Sequence, residues 1–162
     1  MISSEELYQG QTYQGLNLTE NYGYLRKVIS EEVESTILNR RDIVLTDGIP
    51  NDLSVVAGII TSLFQTPLSH INVLSNSRGT PNMAVREAWN DKTFNELEGE
   101  LIYLKVSADH FDIRKANLSE AEAFWEDREP QEPIFLEKDL AYHLVTDIED
   151  ISINDINRVG GK

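Results

Sequence analysis

Two short runs of apolar residues limit what this chain can fold into. Asp42-Ile43-Val44-Leu45-Thr46 closes on an Asp47-Gly48 turn, and Ala57-Gly58-Ile59-Ile60-Thr61 follows after Pro50-Asn51-Asp52 and a short Leu53–Val56 segment. Apolar runs this short, bounded by turn residues, read as buried strands. Gln65-Thr66-Pro67 breaks the pattern, and the stretch Pro67 to Arg78 then reads as a helix of about three turns. Thr66 or Ser69 can cap it, Pro67 suits its first position, and Ile71 and Leu74 lie on one face with Val73 beside them. Arg78, Gly79 and Pro81 mark its end. Asn82–Val85 reads as a short strand, Asn90–Leu97 as a short helix and Glu100–Val106 as a strand. Strand, helix and strand alternate from 42 to 106, which predicts a layered α/β core.

The flanks are less regular. Residues 1 to 20 are polar and read as a connector. Tyr22–Val28 is β-prone. Ser30–Asn39 suits a helix capped by Ser30, with Val33, Ile37 and Leu38 as its buried stripe. Beyond Ser107, Phe111-Asp112-Ile113 is extended, and Ser119–Asp127 carries a Ser119/Glu122 capping box with Ala121, Phe124 and Trp125 at helical spacing. Glu129–Pro133 is linker-like.

The 162 residues suit one domain with connecting segments. No apolar run is long enough to span a membrane, and the first residues do not resemble a signal peptide. The absence of cysteine excludes disulfides, thiolate chemistry and a Cys-based zinc site, and suits a cytoplasmic protein. The triplets Asn17-Leu18-Thr19 and Asn117-Leu118-Ser119 are read as chance sequons. A net charge of -14 argues against a nucleic-acid partner. The acidic residues gather at Glu31–Glu34 and beyond Glu96, leaving Arg40–Ala88 much closer to neutral.

His70 is the histidine in a chemically suggestive place: the start of a helix that follows a buried strand and a turn. The positive end of the helix dipole favours a neutral, nucleophilic ring, and the first backbone amides can bind a phosphate once one is attached. Set against this, a histidine at a helix start is more often a surface residue or a cap. His110 and His143 lack such a context. Ser69-His70 with a distant Asp is a weaker pointer, to a hydrolase triad, because neighbours on a helix diverge and no Gly-x-Ser-x-Gly is present. Asp47 and Asp52 read as turn caps rather than acid–base or Mg²⁺ groups. The acidic tail from Asp147 to Asp155 lacks the spacing of a calcium loop. Trp89 and Trp125 read as packing residues.

Taken in order, Asp42–Thr46, Pro50-Asn51-Asp52, Gly58-Ile59-Ile60-Thr61, Ser69-His70 and Arg78-Gly79-Thr80-Pro81 resemble the phosphohistidine swivelling domain of the family containing phosphoenolpyruvate synthase, pyruvate phosphate dikinase and glucan water dikinase. With Tyr22–Val28 and Glu100–Val106 as flanking strands, the likeness covers residues 21–107. Val159-Gly160-Gly161-Lys162 is similar to the opening of that family's ATP-grasp module. The pyruvate enzymes carry Gly-Gly and a Thr two residues before the histidine. Here Leu68 stands in that place and Thr66 lies four before, a form more like the glucan branch.

The resemblance implies an α/β swivelling β/β/α domain over 21–107, a connector at 1–20, a helical and linker segment at 108–155, and the start of an ATP-grasp domain at 156–162. It implies that His70 carries a phosphoryl group from ATP to an acceptor such as pyruvate or a glucan hydroxyl. Ser69, Thr66 and Asn72 would neighbour the phosphate, as would Thr61 at the strand end, while Gly58 serves close packing. ATP and Mg²⁺ would bind mainly on the ATP-grasp module of the same polypeptide, with Lys162 as a nucleotide ligand and no metal held here. An acceptor-substrate domain would complete the relay. The alternative is a binding or regulatory module of the same fold, never phosphorylated, whose acidic surface docks a basic partner. An independent hydrolase using Ser69 is the third reading.

Overall fold

The structure, a computed structural model, describes residues 10–66 and 68–129. The chain divides into two units, Met1–Arg128 and Glu129–Lys162, and every element below lies in the first. The expectations for Pro67, His143, Lys162 and the segments from 130 onward fall outside the described residues.

Seven strands form one sheet: β1 (Tyr13–Asn17), β2 (Glu20–Lys27), β3 (Asp42–Thr46), β4 (Gly58–Thr61), β5 (Asn82–Val85), β6 (Leu101–Val106) and β7 (Phe111–Lys115). Their order is β1-β5-β4-β3-β2-β6-β7. The middle four strands, β2 to β5, run parallel, with Leu45 opposite Ile60 and Ile60 opposite Met83. The pairs β1–β5, β2–β6 and β6–β7 are antiparallel. Among the described residues three α-helices accompany them: α1 (His70–Arg78) and α2 (Lys92–Leu97) between strands, and α3 (Leu118–Arg128) after β7.

The apolar runs are continuous because both faces of the parallel strands are covered. Ile43, Leu45, Ile60 and Met83 point to one side, where Leu25, Ile102, Leu104 and the α2 residues Phe94 and Leu97 complete a core. The alternate residues Val44 and Ile59 point to the other side and meet Val33, Leu53, Val56 and Ile71 of α1. Gly58 fits the tight packing expected of it: a β-carbon there would stand 3.1 Å from Leu104 and 3.2 Å from Ile43.

The sheet curls until its two ends meet. The Tyr13 hydroxyl of β1 donates to the Ser107 carbonyl at 2.6 Å, and the Tyr13 and Phe111 rings lie 5.5 Å apart. Gly15 permits this approach, since a β-carbon there would sit 2.3 Å from the Ser107 oxygen.

Four expectations change. Tyr13–Asn17, read as part of a connector, is a sheet strand. Its residues are all half-buried, so no apolar run announced it. The Ser30–Asn39 helix is a 3-10 turn over Ser30–Ser35, whose cap position is Ile29 rather than Ser30. Val33 is buried as expected, but Ile37 lies beyond the turn and is 91 % exposed. The sheet continues past 107, because β7 pairs with β6 and α3 packs on β2 through Tyr22 and Phe124, whose rings are 4.9 Å apart. Helix α3 starts at Leu118, with the Asn117 side chain accepting the Glu120 amide at 2.9 Å in place of a Ser119 capping box.

Candidate functional site

Strands β3, β4 and β5 end on the same side of the sheet, and the loop leaving Thr61 at the end of β4 leads to α1. Ser69 caps this helix. Its backbone is extended, at φ -60° and ψ 143°, and its hydroxyl accepts the Asn72 amide at 3.3 Å. Of the two caps open in the sequence, Ser69 is therefore the one used, and Thr66 contributes its carbonyl to the Ser69 amide at 2.9 Å. At the far end Gly79 takes φ 64° and Arg78 donates to the Leu53 carbonyl at 2.9 Å.

His70 is the first residue of α1. Its side chain is 63 % exposed, and its Nε2 lies 3.9 Å from the Asp52 Oδ1 on the β3–β4 connection. That separation exceeds a hydrogen bond, and both groups are solvated, so the pair is a weak, screened attraction. Asp52 also accepts the Leu53 amide at 2.7 Å, the turn role expected of it. The first intrahelical bond runs from the Val73 amide to the Ser69 carbonyl at 3.1 Å, so the amides of His70 and Ile71 precede it. Leu68, two residues before His70, is 88 % exposed. The arrangement offers a solvent-facing imidazole at the positive end of a capped helix, a place where an added anion is favoured.

Under the helix lies a buried network of amides and hydroxyls. The Gln65 side chain donates to Thr61 Oγ1 at 3.1 Å and to Asn82 Oδ1 at 2.9 Å, while its Oε1 accepts from Asn82 Nδ2 at 3.2 Å and from the Ser69 hydroxyl at 3.4 Å. Asn82 Nδ2 also donates to the Ser75 hydroxyl at 3.1 Å. Asn17 of β1 donates to the carbonyls of Ser75 and Thr80, at 3.0 and 2.7 Å. Gln14, also of β1, clamps the backbone of Gln65: its amide donates to the Gln65 carbonyl at 3.0 Å and accepts the Gln65 N–H at 2.9 Å.

The structure distributes the anticipated phosphate neighbours unevenly. Ser69 adjoins His70, and Thr66 is exposed on the same loop. Asn72 is buried; its amide N–H bonds Ser69 and its side-chain oxygen accepts from Asn76 at 2.9 Å. Thr61 is fully buried, donating to the Leu63 carbonyl at 2.8 Å, so its hydroxyl shapes the loop from beneath. Gln65, Asn82 and Gln14 were missed: an amide residue outside any motif carries no signal until its partners are known.

The remaining polar candidates serve turns and packing. Asp47 accepts the Ser30 amide at 2.7 Å, a bond that holds its carboxyl below the usual range. His110 lies in the β6–β7 turn with its Nδ1 2.7 Å from Asp109, whose carboxyl that contact lowers. Trp89 lies under Lys27, 4.5 Å from the ring centre, and Trp125 donates to the Tyr22 carbonyl at 3.2 Å. Among the described residues no three or more His, Asp or Glu side chains are grouped to hold a metal ion, and no helix is long and apolar enough to cross a membrane.

No model of a known protein family matches the chain, and neither does any curated protein.

Proposed function

We propose that this chain is a phosphoryl carrier of the swivelling β/β/α type, in which His70 relays phosphate from ATP to an acceptor such as pyruvate or a glucan-like hydroxyl. The observation that carries this reading is His70 itself, exposed as the first residue of a Ser69-capped helix beyond the end of a buried parallel strand. A ring nitrogen attacks a phosphoryl group of ATP; the N–P bond forms and the P–O bond to the nucleotide breaks. The second transfer reverses the roles, with the acceptor oxygen attacking phosphorus and the ring leaving. Covalent relay divides one difficult transfer into two easier ones. Nucleotide and Mg²⁺ belong to a neighbouring ATP-grasp module, where Mg²⁺ neutralises phosphate charge. Lys162 is proposed to contact nucleotide there, and an acceptor domain completes the cycle.

The test uses the polypeptide that joins this chain to its nucleotide-binding module. It is incubated with ATP and Mg²⁺ at neutral to alkaline pH, and its peptides are mapped by mass spectrometry. Phosphate is expected on the peptide containing His70 and is lost in His70→Ala. Unphosphorylated His70 in a protein that still binds ATP would overturn the carrier reading in favour of a docking module for a basic partner.

A further inference from the structure

Gln65 sits between half-buried Phe64 and exposed Thr66, yet its own side chain is fully buried. A buried amide is tolerated only when its hydrogen bonds are made, and a primary amide has two donors and two main acceptor sites. All four are filled at Gln65. Three of these bonds go to Thr61 of β4 and Asn82 of β5, and the fourth goes to the Ser69 hydroxyl. The backbone of the same residue is clamped twice by Gln14. One side chain thus joins the rigid sheet to the residue that caps α1 and precedes His70.

We propose that Gln65 is a positioning residue for His70, fixing the Ser69 hydroxyl and with it the first turn of α1, so that the imidazole is presented to the phosphoryl donor in one orientation. This rests on the reading of His70 as a phosphoryl acceptor. Gln65 itself touches neither the ring nor the phosphate; it acts through Ser69.

Potassium phosphoramidate tests the idea on this chain without ATP. A ring nitrogen attacks its phosphorus, the N–P bond to the ring forms, ammonia departs and the ring proton passes to water. His110 is the internal reference, because its side chain is 61 % exposed against 63 % for His70. The initial rate at each histidine is read by phosphopeptide mapping in the wild type, Gln65→Met, Ser69→Ala and the double variant.

Gln65→Met is expected to lower the His70-to-His110 ratio about three- to tenfold, the scale of a modest misplacement of a reacting group. Ser69→Ala removes the same contact together with the helix cap, so the double variant should be no slower than Ser69→Ala, because Gln65 acts through Ser69. The ring carbon–proton resonances of His70 should shift while those of His110 stay, which general loosening of the fold would not produce. Gln65→Asn, one methylene shorter and still an amide, gives the same reading should Gln65→Met not fold. Folded Gln65 variants with the wild-type ratio and unmoved His70 resonances would overturn the proposal. Failure of ATP to label His70 beside a normal phosphoramidate ratio would tell against the ATP relay alone.

Discussion

At the scale of single residues, the chemistry and the scaffold separate cleanly. His70 and Asp52 face each other across solvent at 3.9 Å, and such exposed pairs contribute little. Asp52→Asn is therefore expected to change the unfolding free energy by less than about 1 kcal/mol, read by urea denaturation. Ile71, next in sequence to His70, is buried against Val44 and Ile59. Ile71→Ala removes that anchor and should cost about 2–5 kcal/mol by the same measurement, the usual range for emptying a core site. Asp52, which faces His70, and Ile71, which follows it in sequence, would thus differ severalfold in stability effect.

At the scale of elements, the sequence was most legible where the chain is apolar or sharply capped. Strands β3 and β4, the Gly79 terminus of α1 and strand β6 stood out because each carries an apolar run or a residue with special backbone freedom. The 3-10 turn was blurred because its cap, Ile29, offers no side-chain oxygen, and α3 because a polar cap such as Asn117 looks like any other Asn. Helix α3 is held by one charged junction: Glu120 accepts from the Tyr22 hydroxyl at 2.9 Å and pairs with Arg114 of β7. The Arg114 bond, with help from Tyr22, lowers the Glu120 carboxyl from the usual range to about 2. A depressed carboxylate stabilises the fold fully above its unfolded value of 4.5, and that contribution is lost as pH falls toward 2. Glu120→Gln should therefore flatten the dependence of stability on pH across that window. Urea midpoints between pH 5 and pH 2 check this; an unchanged slope would remove Glu120 from the acid response.

At the scale of the whole molecule, closure of the curled sheet depends on Tyr13 and Gly15. Burial, the largest cause, pushes the Tyr13 hydroxyl from 10.0 up to about 12. A raised pKa means its stabilisation is complete below the unfolded value and fades as pH rises through the folded one. Tyr13→Phe should leave stability less sensitive to pH between about 10 and 12, measured by denaturation along that range. Gly15→Ala has a sharper effect, because the added carbon meets a backbone oxygen rather than a yielding side chain. It should open the seam between β1 and Ser107, seen as faster amide exchange in β1 with β3 and β4 still protected. The α/β class was readable from residues 42 to 106, but this seam was not: it joins two polar segments whose meeting no local pattern encodes.

Strand β1 also has a long wait. Tyr13 pairs with Val85, more than seventy residues further along the chain. At the usual pace of synthesis, 5–20 residues per second, β1 leaves the ribosome about 4 to 14 seconds before its partner exists. A strand of apolar residues left unpaired that long would invite neighbouring chains to add to it. Tyr-Gln-Gly-Leu-Asn does not: its amides hydrate readily while they wait for Gln65, Ser75 and Thr80. The same plainness that hides β1 in the sequence lets it wait unpaired without recruiting other chains.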